Sequence, residues 1–101
     1  MDLQVEPGDD GASFRIVGDL DVATVSTLLD AVWAAGPHEG DLVMDLSELK
    51  FIDSTGLRAL VTISKDLPED GKLVIAGASR QVRKLMDLVR ADLFERWEVR
   101  D

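Results

Sequence analysis

Asp41-Leu42-Val43-Met44-Asp45-Leu46 and, shortly after it, Phe51-Ile52-Asp53-Ser54-Thr55-Gly56-Leu57 decide how this chain folds. Nearly every central position of the first stretch is apolar over too short a span for a helix, so it reads as a buried strand. The second leads into a run where Leu57, Leu60, Val61 and Leu67 recur at helical spacing. That spacing predicts a helix from about Thr55 to Asp66, broken by Pro68-Glu69-Asp70-Gly71. A buried strand feeding a helix through the loop Lys50–Gly56 is the unit from which crossover sheets are built.

Toward the N-terminus, Leu3-Gln4-Val5-Glu6 and Ser13-Phe14-Arg15-Ile16-Val17 alternate around the turn-rich Pro7-Gly8-Asp9-Asp10-Gly11, which predicts a hairpin. After Gly18-Asp19-Leu20-Asp21 the period changes. Val22, Val25, Leu28, Leu29, Val32 and Trp33 recur at helical spacing until Gly36-Pro37, with Asp21 as the expected N-cap. Toward the C-terminus, Lys72-Leu73-Val74-Ile75-Ala76 reads as a second buried strand. A helix from about Arg80 to Arg90 follows, with Ser79 as N-cap and Val82, Leu85, Met86 and Val89 turned inward, and Arg96-Trp97-Glu98-Val99 forms a closing edge strand. The expected order is β-β-α-β-α-β-α-β: an α/β fold with a mixed sheet of about four to five strands flanked by helices, one domain over residues 1–101. In such sheets functional groups gather where strand C-termini meet helix N-termini, here at Gly18–Asp21 and Lys50–Gly56.

Composition narrows the function. Among 101 residues there is no Cys and a single His, His38, which removes thiolate metal sites, disulfides and most His-based catalysis. No cofactor or metal is expected. The apolar runs are too short to insert into a membrane, and Met1-Asp2-Leu3 lacks the basic start of a signal peptide, so a cytoplasmic protein is expected. The net charge of −9 argues against nucleic acid as a partner. That charge is uneven: residues 1–49 hold eleven acids and one base, Arg15, whereas residues 50–101 hold ten bases and nine acids. The acidic half reads either as a solvated face or as a docking surface for a basic partner.

The loop Asp53-Ser54-Thr55-Gly56 carries the remaining chemistry. Ser54 or Thr55 would serve as an N-cap of the helix, but no Glu or Gln stands three residues after either, so the reciprocal capping box is missing. Gly56 costs about 1 kcal/mol against Ala in a helix, which is useful where another backbone or a phosphate must come close. A hydroxyl at a helix N-terminus is also a sensible phosphorylation site, because the helix dipole can hold the added dianion. With Asp53 adjacent and Asp19 or Asp21 expected nearby, that added charge makes an electrostatic switch. Enzyme readings fail on spacing: there is no Gly-x-Ser-x-Gly around Ser54, two residues separate Asp53 from Gly56 rather than the one of an aspartic protease, and Gly71-Lys72 lacks the rest of a phosphate-binding loop.

Gly18-Asp19-Leu20-Asp21, Leu42-Val43-Met44-Asp45-Leu46-Ser47 leading into Phe51–Leu57, Gly71-Lys72-Leu73-Val74-Ile75-Ala76 and Val82-Arg83-Lys84-Leu85 follow one another along the chain. In this order they resemble STAS domains, and among them the small bacterial anti-sigma factor antagonists. The resemblance implies a non-catalytic regulator that binds an anti-sigma factor with serine kinase activity, frees a sigma factor, and is switched off by phosphorylation until a serine phosphatase resets it. Carried over, the phosphorylated residue is Ser54, with Thr55 the less favoured acceptor. Asp19, Asp21, Asp53, Ser54, Thr55, Gly56 and Leu57 would form the partner-binding surface, Gly56 and Leu57 through the first turn of the helix. Asp19 stands where Glu is usual, which preserves the charge. The resemblance also allows an accessory subunit docked on a membrane transport ATPase of the lipid-trafficking type, without a phosphorylation switch.

Overall fold

Turn chemistry at residues 8–13 sets the first pairing. In the computed structural model, which describes residues 2–36, 38–87 and 97–100, Asp10 Oδ1 accepts from the Ala12 amide and the Ser13 hydroxyl, both at 3.0 Å. Strands β1 (Leu3–Pro7) and β2 (Ser13–Leu20) leave this turn antiparallel, Leu3 opposite Gly18 and Pro7 opposite Phe14, as the alternation predicts. There follow α1 (Val25–Ala34), β3 (Leu42–Asp45), β4 (Leu49–Ile52), α2 (Ser54–Lys65), β5 (Leu73–Ala76), α3 (Arg80–Asp87) and β6 (Trp97–Arg100).

The sheet runs β1-β2-β3-β5-β6, with β4 attached to β2 off that path, and every pairing except the first is parallel. The strands β2, β3, β5 and β6 step across the sheet in one direction, so right-handed crossovers bring the helices to one face. The core agrees. Phe14, Ile16, Leu42, Met44, Leu73 and Ile75 from the strands share one buried cluster with Leu28 and Val32 of α1, Leu57, Leu60 and Ile63 of α2, and Val82 and Met86 of α3. Arg15, between Phe14 and Ile16, is exposed on the other face, where it meets Asp45 of the neighbouring strand at 3.4 Å. Ser79 caps α3 as expected, its hydroxyl accepting from the Val82 amide at 3.2 Å. The expected continuation of that helix through Val89 to Arg90, and Arg96 of the closing strand, lie outside the described residues.

Three expectations need correction. Leu49–Ile52 is a strand rather than part of a loop, so the sheet has six strands among the described residues. Leu49 and Ile52 are buried and the two residues between them exposed, a spacing that matches neither strand alternation nor a continuous apolar run. Second, α1 starts at Val25 instead of directly after Asp21, because Asp21 holds a separate turn over residues 21–24. Third, Val22 and Trp33 do not belong to the buried stripe: they are 72% and 49% exposed, and Leu28 and Val32 carry the contact with the core.

Asp45 ends β3 and turns the chain toward β4. Its Oδ1 accepts from the Ser47 amide at 2.9 Å. The Ser47 hydroxyl and amide, and then the Arg15 guanidinium, hold the Asp45 carboxyl below the usual carboxylate range. A carboxyl depressed in the fold contributes stability that is present above its unfolded pKa, about 3.9, and lost as pH falls through the lower folded value. Asp45→Asn is therefore expected to be less stable than wild type at neutral pH, with the gap closing in acid. Urea midpoints for both proteins across that range check this; a gap independent of pH would mean the ionised form of Asp45 adds nothing.

Candidate functional site

Strands β2 and β4 run parallel and end side by side, with Asp19 beside Phe51 and Leu20 beside Ile52. The register shifts at Gly18, whose φ of +108° suits glycine and where a Cβ would stand 2.3 Å from the Asp2 carbonyl oxygen. Past Leu20 and Ile52 the two chains turn off the sheet together, and the Asp53 amide donates to the Leu20 carbonyl at 3.2 Å. The Gly18–Asp21 and Lys50–Gly56 segments thus meet, as the parallel topology predicts.

The start of α2 differs from the expectation that Ser54 or Thr55 caps it. Asp53 is the N-cap: its Oδ1 accepts from the Gly56 amide at 2.9 Å and its carbonyl from the Leu57 amide at 3.0 Å. With that role filled by the carboxylate, Ser54 becomes the first helical residue and stands exposed, while Thr55 is half-buried. Gly56 answers the question of what comes close to it: a Cβ there would lie 2.6 Å from the Leu20 carbonyl oxygen and 2.8 Å from its Cγ. The neighbour is backbone, not a ligand. Gly56 is buried and Leu57 is only 3% exposed, so this side of the first turn faces the core. In the free chain these two residues of the expected partner-facing turn seat the helix, and Ser54 is exposed beside them.

The facing loop is held by a residue that the sequence reading passed over. Thr24 is buried, and its hydroxyl donates to the Asp19 carbonyl at 2.8 Å while accepting from the Asp21 amide at 3.0 Å. Asp21, 8% exposed, turns its carboxylate inward to the amides of Ala23 at 2.9 Å and Thr24 at 3.2 Å. Asp21 therefore braces the loop, and Asp19, half-buried at the end of β2, is the more accessible acid. The Asp-x-x-Thr spacing was the available signal, since short polar side chains at that spacing commonly close local turns.

His38 lies elsewhere. It sits beyond the C-terminal end of α1, its Nε2 3.2 Å from the Val32 carbonyl and its ring edge-on to Phe14 at 6.3 Å. The cleft it shares with Val32, Trp33, Ile63 and Leu67 reaches the C-terminal end of α2, roughly 18 Å along the helix from Ser54. Among the described residues no cluster of carboxylates and histidine could hold a metal ion, and no helix is long and apolar enough to cross a membrane.

Residues 1–100 match the STAS domain. An anti-sigma-B factor antagonist of Staphylococcus epidermidis is 34% identical over 93 residues, a match spanning 87% of this chain and 85% of that protein. Among solved structures, the anti-sigma factor antagonist SpoIIAA in its unphosphorylated form is similar with a TM-score of 0.64 at 18% identity, over 99% of this chain and 88% of its own. An antisigma-factor antagonist STAS domain from Rhodobacter sphaeroides is similar with a TM-score of 0.54 at 22% identity, over 80% of this chain and 94% of its own. These two structures share the mixed α/β fold described above.

The tight seat of α2 makes a test. In an open helix Gly→Ala would gain about 1 kcal/mol. Here the added methyl meets a carbonyl oxygen, and Gly56→Ala is expected to destabilise by about 1–3 kcal/mol, the usual cost of overpacking. Chemical denaturation measures the sign directly, and a stabilised variant would show that β2 and α2 separate at no cost.

Proposed function

The chain belongs to the STAS domain family, and from that premise we propose that it is an anti-sigma factor antagonist switched by phosphorylation of Ser54. In this reading it acts as a single domain in the cytoplasm. Its unphosphorylated form binds an anti-sigma factor with serine kinase activity and so frees a sigma factor. The chain is a substrate and binding partner rather than a catalyst. The Staphylococcus epidermidis relative, an anti-sigma-B factor antagonist, favours this over docking on a transport ATPase.

The observation that carries the assignment of Ser54 is the division of labour at the start of α2. Asp53 does the capping, so the neighbouring exposed hydroxyl is not spent on the helix and is open to a kinase. Thr55 is half-buried, which disfavours it as the acceptor. In the transfer, Ser54 Oγ attacks the γ-phosphorus of ATP, the bond to the β–γ bridging oxygen breaks, ADP leaves, and the hydroxyl proton passes to a base of the kinase. A serine phosphatase then uses water to return Ser54 and inorganic phosphate. The partner must hold nucleotide phosphates opposite Ser54 for this transfer. Phosphoserine at the same place would face them with like charge and added bulk, with Asp19 and Asp53 close by.

The reading is tested with wild type, Ser54→Asp, Ser54→Ala and Thr55→Ala as baits in lysate of the native organism, read by mass spectrometry, followed by phosphorylation of each by the retained protein. Wild type, Ser54→Ala and Thr55→Ala are expected to retain an ATPase-fold serine kinase, and Ser54→Asp to lose it. Phosphate should enter wild type and Thr55→Ala but not Ser54→Ala. Equal retention by all four baits, or label on Ser54→Ala, would overturn the assignment. Retention of a transporter ATPase by both wild type and Ser54→Asp would make Ser54 part of a docking surface instead.

A further inference from the structure

Val22 is the most exposed of the large apolar residues among those described, at 72%, and the structure around it is built to keep it so. Were α1 to begin directly after Asp21, Val22 would fall on the same stripe as Val25, Leu29 and Val32. Instead the turn of residues 21–24 intervenes. The Asp21 carboxylate holds the Ala23 and Thr24 amides, the Asp21 carbonyl accepts from the Thr24 amide at 3.1 Å and the Val25 amide at 2.9 Å, and the Thr24 hydroxyl ties the turn back to Asp19 and Asp21. These bonds fix the backbone on both sides of Val22 while leaving its side chain in water.

The position is as telling as the exposure. Leu20 and Ile52 are aligned neighbours on parallel strands, and Val22 and Ser54 each stand two residues beyond them, on chains joined by the hydrogen bond from the Asp53 amide to the Leu20 carbonyl. An apolar side chain thus stands on a rigid support, on the chain that leaves the sheet next to the one carrying an exposed hydroxyl. With Asp19 and Asp53 on the same two chains, this has the make-up of a small interface: an apolar anchor within a charged rim. Trp33 is also exposed, but at the opposite end of α1.

We infer that the Asp21–Thr24 turn is a pre-organised docking knob, whose tip Val22 enters an apolar socket rimmed by basic side chains on the protein that recognises Ser54, and that Thr24 is the residue positioning it. The inference rests on the switch reading above and adds a specificity determinant to it. The rim is basic because Asp19 and Asp53, the acids on the two chains that carry Val22 and Ser54, favour a cationic surround. Thr24 makes its contribution through the loop and touches nothing on the partner.

The test is a titration of the anti-sigma factor retained by wild type against wild type, Ser54→Asp, Val22→Ala, Thr24→Val, Thr24→Ser and Trp33→Ala, with backbone amide exchange measured on each free protein. Removing two methyl groups from a buried anchor is expected to weaken binding about tenfold for Val22→Ala, with the free fold unchanged. Thr24→Val keeps the shape but loses the hydroxyl. It should speed exchange of the Asp21 amide, which the hydroxyl accepts from, and weaken binding by a similar factor. Thr24→Ser restores the hydroxyl and should recover both, and Trp33→Ala should bind like wild type. Because amide exchange elsewhere in the chain reports the folded fraction, a general loss of structure in Thr24→Val is separated from a local one. If Ser54→Asp loses binding while Val22→Ala and Thr24→Val keep wild-type affinity, the knob is refuted and the switch stands. If Ser54→Asp binds as well as wild type, both fall together.

Discussion

The Leu20 carbonyl is the joint on which the site depends. It closes the last turn of β2 against the Asp53 amide and lies so near α2 that only glycine fits at position 56. Two small terms nearly cancel there: glycine costs the helix about 1 kcal/mol, and a good cap such as Asp53 returns about the same. Local propensity therefore does not decide where α2 begins. Packing does, by seating its first turn on the end of β2 with Gly56 and Leu57 inward. The residue left facing outward at the first helical position is Ser54, so its exposure follows from the constraint on Gly56.

That geometry explains which parts of the fold and site were legible in the sequence. The hairpin, β3, β5 and the body of each helix follow patterns set by burial on one face, and periodicity reports them well. β4 did not announce itself, because a strand buried only at its two ends has the spacing of a single helical turn. The helix starts were harder for a different reason. An Asp before an apolar periodic run signals an N-cap and an Asx turn equally, and at Asp21 the second was true; Thr24, three residues on, was the discriminating sign. At Asp53-Ser54-Thr55 three consecutive residues are able to cap. The choice falls to Asp53 through a contact with β2 that lies some thirty residues away in sequence and is invisible to any local pattern.

The structure also gives several acids of the N-terminal half a local role. Of the eleven acids in residues 1–49, Asp10, Asp21, Asp41 and Asp45 each accept from a backbone amide, Asp41 from that of Lys72 at 2.8 Å. These carboxylates close turns and pin the ends of strands. Four of the eleven acids are thus accounted for by the use of Asp as the chain's turn-former. On the proposed function, recognition by a few groups near Ser54 gives weight to an exposed apolar residue such as Val22.

A frame braced in this way suits a switch made by charge rather than by movement. Taking a complex from 99:1 bound to 1:99 at a fixed partner concentration needs a difference of about 5.5 kcal/mol. Two like unit charges about 4 Å apart repel by roughly 4 kcal/mol where the effective dielectric constant is about 20, as at a partly desolvated interface. A phosphoserine carries close to two such charges at neutral pH, so one phosphate opposite it supplies enough repulsion without any rearrangement of α2. In water the same charges would interact by only about 1 kcal/mol. The proposed switch therefore requires that the surroundings of Ser54 be dry and fixed when the partner arrives, and the braced Asp21–Thr24 turn and the tight Leu20–Gly56 seat would keep them fixed.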